Sequence, residues 1–191
     1  MREPRPGISA PNSVFARLLE HTQRPLYGYL RGLLADEEQA RDLVQDVFCD
    51  AWRAARQGAP PFDGTSDEAS MRRWLFHVAH HKAVSALRHR SVIRWESLDT
   101  PGAYVVEPSD AQWFEDQIAE GEIIHAALAS LSLEDAACLL LNIVEGFTSA
   151  EIAQITGLSA EASKKRLSRA KQRLRAAYFA QSAGREESAA Q

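Results

Sequence analysis

The chain has 191 residues and 45% of them are hydrophobic, which suffices for one medium or two small domains with buried cores and excludes a wholly disordered chain. No apolar run approaches the roughly 18–20 residues of a membrane span, and the opening sequence MREPRPGISAPNS lacks the apolar segment of a signal peptide. We therefore expect a cytoplasmic protein without membrane insertion. Its two cysteines, Cys49 and Cys138, are predicted to be separate, reduced thiols.

The net charge of −4 conceals two oppositely charged segments. Residues 99–122 contain seven acids and no Lys or Arg, whereas residues 160–180 contain seven bases and only one acid. Since a compact run of bases is the electrostatic footprint of a nucleic-acid-binding element, the acidic total does not exclude DNA as a partner.

The spacing of apolar residues predicts helices and no strands in the first half of the chain. A first helix begins near Ser13, and Pro25 is expected to break or kink it. An amphipathic helix at 36–56 has one of the cleanest periodicities in the chain. A loop rich in Gly, Pro, Asp and Ser follows at 57–70, and a third helix is predicted at 71–90.

The predicted fold class is therefore all-α, with two small helical domains joined by a flexible linker. The predicted boundaries are 13–92 for the first domain, 93–111 for the linker, 112–180 for the second domain and 181–191 for a disordered tail. Within the second domain, Ser132 is placed to cap an apolar helix, and Gly146 is placed to end it.

A helix-turn-helix is predicted immediately after that apolar helix. Thr148 and Glu151 have the spacing of a capping box, which would begin a short helix at 149–156. Gly157 suits the left-handed position of a tight turn, and Ser159 can cap the basic helix that follows. Two short helices joined through a glycine-containing turn, with the second helix basic, are typical of a DNA-binding helix-turn-helix.

The basic helix could also be the solvated face of an ordinary helical hairpin. The capping box, the turn glycine and the base-rich helix coincide at the right spacing, which favours DNA binding. The side chains predicted to enter the major groove are Lys164, Lys165, Ser168 and Lys171. Those predicted to contact flanking phosphates are Arg166, Arg169 and Arg173.

The polar face of the 36–56 helix is acidic. Asp42, Asp46 and Asp50 lie four residues apart, so their charges repel and stabilise nothing locally. This face is either a solvated helix surface or a docking surface for a basic partner, and the spacing alone leaves both interpretations open.

Three segments resemble parts of one known family. DLVQDVFCDAW at 42–52 resembles the core-polymerase-binding segment of bacterial sigma factors, and WLFHVA at 74–79 resembles the promoter-melting helix that follows it. Residues 128–174, with the motifs EIA, GL and RLSRA, resemble the sigma region that reads the minus-35 element. The order and lengths are similar to those of extracytoplasmic-function (group 4) sigma factors, which keep regions 2 and 4 and lack regions 1.1 and 3.

The resemblance implies a role for each surface. For the acidic face of the 36–56 helix, it favours the docking surface over the solvated helix surface. The positions implied to contact the beta-prime clamp helices of RNA polymerase are Asp42, Gln45, Asp46, Cys49 and Asp50. Residues 62–70 match the loop that captures a base flipped from the minus-10 element. The positions implied to contact minus-10 DNA are Phe62, Asp63, Gly64, His77, His81, Lys82, Ser85 and Arg88. Trp74 is expected to support the core rather than to stack on a base.

The chain departs from the family pattern at several positions. His81 stands where the family usually has Asn, and Ser85 stands where it often has Asp, so the minus-10 base preference is not carried over. The frequent Thr-Val opening of the recognition helix is replaced by Ala162 and Ser163. Ser132 replaces the usual Pro and still provides a cap.

The sequence is also compatible with other functional classes. His77 and His81 have the i, i+4 spacing of a metal pair, but no third ligand lies nearby on that face, so no metal or other cofactor is expected. The alternatives are a stand-alone helix-turn-helix regulator that binds a palindrome without polymerase, and a helical metal enzyme. The resemblance favours a non-enzymatic initiation factor whose partners are core RNA polymerase (beta-prime clamp helices and beta flap), promoter DNA and an anti-sigma factor.

Overall fold

The computed structural model describes residues 13–96, 128 and 130–189, and the regular elements within those residues are all α-helices. The helices are α1 (Ser13–Leu34), α2 (Glu37–Gln57), α3 (Glu68–Glu96), α4 (Leu133–Glu145), α5 (Ser149–Thr156) and α6 (Ala160–Ala189). The predicted all-α class is confirmed. Within these residues no helix is long and apolar enough to cross a bilayer.

The helix ends follow local capping chemistry. The Asp36 carboxylate accepts a hydrogen bond from a backbone N–H in the first turn of α2, and Gly58 ends that helix in the left-handed conformation at φ 61°. The Ser132 hydroxyl caps α4, and Gly146 ends it at φ 69°. These caps satisfy backbone groups that have no partner inside the helix. The caps predicted for α4 are thereby confirmed.

Four features of the helices differ from the sequence expectations. Helix α1 runs through Pro25 without interruption, because buried side chains on both sides of the proline, including Leu18 and Tyr29, hold the two halves in one core. Helix α3 begins three residues early, since the Asp67 carboxylate accepts a hydrogen bond from the backbone N–H of Ser70 and caps it.

The other two differences concern the predicted linker and tail. Helix α3 continues to Glu96, past the predicted linker start at residue 93, and 91–96 contain neither Gly nor Pro to stop it. Helix α6 continues to Ala189, where 181–191 had been expected to be disordered. Ala, Gln, Glu and Arg in that stretch all favour helix. The rest of the predicted linker and the predicted start of the second domain at 112 lie outside the described residues.

The first three helices bury one face each. The apolar periodicity of α2 is confirmed, since Ala40, Val44, Val47 and Ala51 are buried. Helix α3 buries Leu75, Phe76, Ala79 and Ala83.

The second half of the chain packs directly on this bundle. Helix α4 lies against α1, and α5 lies against α3. The rings of Phe76 and Phe147 meet edge to face with centroids 5.2 Å apart, and Phe147 is only 1% exposed. A Cβ placed on Gly32 of α1 would stand 3.0 Å from the side chain of Leu140 in α4, so the helices approach closely there. The two predicted domains therefore share a continuous apolar contact.

Candidate nucleic-acid interface

The acidic face of α2 is open to solvent at most of its predicted docking positions. Asp42, Gln45, Asp46 and Cys49 are exposed, and Asp50 is half-buried. The carboxylate of Asp50 lies 3.0 Å from Nζ of Lys82 and 2.9 Å from Nη1 of Arg53, and Asp46 lies 3.7 Å from the same Lys82 nitrogen. No cation among the described residues pairs with Asp42. Its charge is therefore the least neutralised of the three.

The loop between α2 and α3 holds one aromatic side chain inward. The ring of Phe62 packs edge-on against Phe15 and Trp74, with centroid distances of 5.6 and 5.2 Å. Trp74 is half-buried against the core, as expected for core support. Phe62 thus belongs to an aromatic cluster beneath the loop, whereas Asp63 and Gly64 beside it are exposed.

The exposed part of that loop is fixed by its own hydrogen bonds. The Asp63 carboxylate accepts hydrogen bonds from the backbone N–H and the hydroxyl of Thr65, at 2.9 and 2.7 Å. These bonds lower the pKa of Asp63, and hydrogen bonds from Ser70 lower the pKa of Asp67 in the same way. Gly64 lies between the two at φ 82°, a conformation that other residues rarely adopt. Local hydrogen bonds and a left-handed glycine therefore define the conformation of the loop.

The predicted DNA-contacting side chains of α3 do not all reach solvent. His81, Ser85 and Arg88 are exposed. Lys82 is half-buried and turned to the carboxylates of α2. His77 is half-buried, and its Nδ1 atom lies 2.9 Å from the carbonyl oxygen of Ile155 in α5. Helix α5 therefore covers one end of the predicted minus-10 face.

Two arginines of α3, which the sequence did not single out, bind the second half of the chain. Nε of Arg72 lies 3.3 Å from Glu145, and the Arg72 guanidinium stands 5.4 Å from the centroid of the Phe147 ring. Nη1 of Arg73 lies 3.3 Å from Glu151. Burial raises the pKa of Glu145, and hydrogen bonds from Thr148 lower that of Glu151. The one sign of this contact in the sequence was Phe147, because an apolar residue directly before a helix cap is typical of a hydrophobic staple and is often buried.

The histidines of α3 have separate environments. His80 is buried, and its Nδ1 lies 2.8 Å from the hydroxyl of Tyr29. Burial first, and the charges of His81 and His77 second, lower the pKa of His80 to about 4. Burial, followed by the charges of His77 and Arg88, also lowers the pKa of His81. Across the part of the chain that the structure describes, no group of three potential ligands is placed to hold a metal ion.

The helix-turn-helix forms as its caps predict. Thr148 and Glu151 make both hydrogen bonds of the capping box at the start of α5, and Gly157 turns the chain at φ 76°. The Ser159 hydroxyl accepts a hydrogen bond from the N–H of Ala162 and caps α6. Among the predicted minus-35 residues of α6, those exposed are Lys164, Lys165, Ser168, Arg169 and Lys171, while Arg166 is half-buried.

A buried carboxylate links α6 to α4. The side chain of Asp135 is 3% exposed and lies 3.1 Å from Arg166, 3.2 Å from Arg169 and 3.7 Å from Arg173. The sequence had placed Asp135 at the positive end of its helix and the arginines on DNA. The sequence did not predict the ion pairs between Asp135 and these arginines, because the partners lie 31 or more residues apart in the chain.

Both halves of the chain match known sequence families. Residues 18–92 match the family described as Sigma-70 region 2, and residues 121–174 match Sigma-70, region 4. The ECF RNA polymerase sigma factor SigX of Bacillus subtilis is 26% identical over 144 residues, which cover 73% of this chain and 71% of SigX. The chain belongs to the sigma-70 family, in its extracytoplasmic-function group. Members of this family are transcription initiation factors, not enzymes.

Other relatives of this sigma factor differ in length. The ECF sigma factor RpoE of Cereibacter sphaeroides is 28% identical over 164 residues, or 85% of each chain. SigG of Mycobacterium tuberculosis is 29% identical over 185 residues, which cover 84% of this chain but only 47% of SigG. The chain thus spans about half the length of that relative.

Two solved structures share the fold. The sigma factor RpoE in complex with the anti-sigma factor NepR from Bartonella quintana has a TM-score of 0.65 and 24% identity, with 86% of this chain and 96% of that chain covered. CnrH in complex with the cytosolic domain of CnrY has a TM-score of 0.58 and 23% identity, with 87% and 88% covered. At these identities the likeness concerns the fold alone.

Proposed function

We propose that this sigma factor binds core RNA polymerase through the acidic face of α2, reads the minus-35 duplex with α6, and captures bases of the melting minus-10 element with α3 and the loop before it. The observation that carries the proposal is the capped helix-turn-helix, whose second helix exposes six basic side chains between residues 164 and 175. The same chain contains the exposed acidic helix α2. The helix-turn-helix would contact DNA, and α2 would contact the polymerase.

The minus-35 contact rests on the exposed bases of α6. Lys164, Lys165, Ser168 and Lys171 are exposed, and a recognition helix in the major groove reads base edges with its first turns. Lys165 also pairs with Glu161 at 2.8 Å, an exposed contact that a phosphate can replace at little cost.

The minus-10 contact requires a rearrangement. Because His77 lies against the backbone of Ile155, α5 must leave α3 before His77 can reach single-stranded DNA. The separation breaks the Arg73–Glu151 pair and exposes Phe147. We propose that binding to core polymerase supplies the energy for this opening by holding the two halves apart.

The same arrangement suggests how the factor is held inactive. The structural neighbour RpoE from Bartonella quintana was solved in complex with the anti-sigma factor NepR, and CnrH was solved in complex with the cytosolic domain of CnrY. We propose that an anti-sigma factor likewise binds this chain and keeps α5 on α3. The beta flap of polymerase is the proposed partner of the second half in the open form.

Run-off transcription with purified core polymerase tests the whole proposal. Core polymerase plus the chain should start transcripts from some promoters of a genomic library that core polymerase alone does not use. If no promoter is used while the chain alone binds a palindrome tightly, the protein is a stand-alone regulator.

The docking surface is tested by a matched pair of charge reversals. Asp42→Lys should greatly weaken core binding, because Asp42 is the docking carboxylate without a cationic partner among the described residues. Glu20→Lys makes the same charge change at an exposed position of α1 and should bind core polymerase like the wild type. Both proteins should retain wild-type circular dichroism. Equal core affinity of the two variants in a pull-down titration would remove the docking assignment.

A further inference from the structure

Asp135 is a buried carboxylate that contacts three arginines of the proposed DNA-binding helix α6. We propose that Asp135 is a positioning residue for DNA binding, which holds the guanidinium groups of Arg166, Arg169 and Arg173 as an oriented, net positive row along α6. This row would meet the phosphates of the minus-35 duplex. The inference rests on the proposed role of α6 in reading that duplex and adds the residue that arranges its phosphate contacts.

The geometry shows a carboxylate placed to serve several cations. Asp135 lies in the first turn of α4 and is almost wholly buried, which is costly for a charge without partners. It accepts hydrogen bonds from Nη1 of Arg166 and Nη2 of Arg169, and Nη1 of Arg173 lies 3.7 Å away. Each arginine uses one terminal nitrogen for this contact. Arg169 and Arg173 remain about half exposed, at 50% and 51%, so other N–H groups can reach a phosphate.

The row occupies its own flank of α6. Residues three and four apart share a helix face, so positions 166, 169 and 173 form one stripe. The buried face of α6, which includes Ser163 and Ala170, lies between that stripe and the flank that carries Lys164, Ser168 and Lys171. A helix in the major groove has a sugar–phosphate backbone on either side. The arginine row therefore suits one backbone while the lysine flank faces the groove and the other backbone.

The charge balance leaves the row positive. One carboxylate faces three guanidinium groups, and counting Glu134, 3.7 Å from Arg166, still leaves one positive charge in excess. An arginine already held in place loses less conformational freedom when it binds a phosphate than a mobile one does. Asp135 should thus strengthen DNA binding, whereas an argument from charge alone predicts that removing an acid tightens it.

Two neighbouring acids separate these accounts. Asp135→Asn and Glu134→Gln each remove one negative charge from the same turn of α4, but Glu134 is exposed and lies farther from its arginine. Binding of the full chain to a fluorescent, mixed-sequence DNA duplex is measured by anisotropy over a series of KCl concentrations. Asp135→Asn should bind roughly three- to tenfold more weakly, with a salt slope smaller by about 1 because an oriented phosphate contact is lost. Glu134→Gln should bind as tightly as the wild type or more tightly.

A third variant keeps the test decisive if Asp135→Asn fails to fold, as judged by circular dichroism. Arg169→Lys keeps the charge and removes the planar fork that spans carboxylate and phosphate. It should also bind the duplex more weakly than the wild type. Wild-type affinity in Arg169→Lys would overturn the proposal.

The remaining outcomes also discriminate. Binding by folded Asp135→Asn that equals or exceeds that of the wild type, or weaker binding with an unchanged salt slope, shows that Asp135 has no positioning role. These results would overturn the role of Asp135 but not the proposed function, which the transcription assay tests separately. Failure of the wild type itself to bind the duplex at low salt, together with absence of promoter-directed transcripts, would instead overturn the proposed function and this inference with it.

Discussion

Lowering the pH should destabilise the folded chain through His80. This imidazole is buried, and its Nδ1 lies 2.8 Å from the hydroxyl of Tyr29, which is itself fully buried. Burial raises the pKa of the Tyr29 hydroxyl, which therefore keeps its proton and can donate it to Nδ1 of a neutral His80. Protonation of His80 would break this arrangement and place a positive charge in a buried position beside two other histidines, His77 and His81.

The size of the effect follows from the difference in the pKa of His80 between the two states. In the folded chain, burial first and the neighbouring histidines second lower it from 6.5 to about 4. Between these values the unfolded chain binds a proton that the folded chain refuses. The contribution of neutral His80 to the free energy of unfolding is therefore fully present above pH 6.5 and is lost as the pH falls toward 4. A change from about pH 7 to about pH 5 should lower the free energy of unfolding by about 2 kcal/mol.

The assay is thermal unfolding at both pH values for three proteins. The wild type should lose roughly 4–8 °C in Tm from His80, in addition to any contribution from other groups. His80→Gln removes the titrating group, so its Tm should fall by that much less. His89→Gln changes an exposed histidine of the same helix and should retain the wild-type pH dependence. If His80→Gln and the wild type lose equal stability between the two pH values, the proposed protonation of His80 is refuted.

Three further substitutions test the packing around the helix-turn-helix, each by chemical denaturation. Ser163→Ala should stabilise the chain by about 1 kcal/mol, because the buried Ser163 hydroxyl forms no hydrogen bond with any described residue; lower stability would indicate a partner for it. Gly157→Ala should cost about 1–2 kcal/mol, since a Cβ would meet no atom within 4 Å but the residue must keep its φ of 76°; an unchanged midpoint would contradict this strain. Phe147→Ala should cost about 3–5 kcal/mol by leaving a cavity against Phe76, and a loss below 1 kcal/mol would show that the α3–α5 contact contributes little.

The sequence by itself determined the existence of the helices and the helix ends that have a capping residue at a fixed spacing, because the interactions involved span only three or four residues. The capping box of Thr148 and Glu151 and the left-handed Gly157 were predicted from letters at fixed spacing and were found as predicted. The apolar stripe of α2 was equally readable. Where a boundary was missed, as at Asp67, a local cap had been overlooked rather than overridden by tertiary contacts.

Only the tertiary structure decided which functional side chains are available. His77 was placed on the DNA-facing side of its helix by spacing, yet its partner is a backbone carbonyl 78 residues away. The same holds for Asp135, whose arginines lie 31 and 34 residues further along the chain. Such pairings leave no periodic trace, because each depends on how two helices approach rather than on the pattern within one. The residues that can carry out DNA recognition were thus named by the sequence, and which of them are free to do so was set by packing.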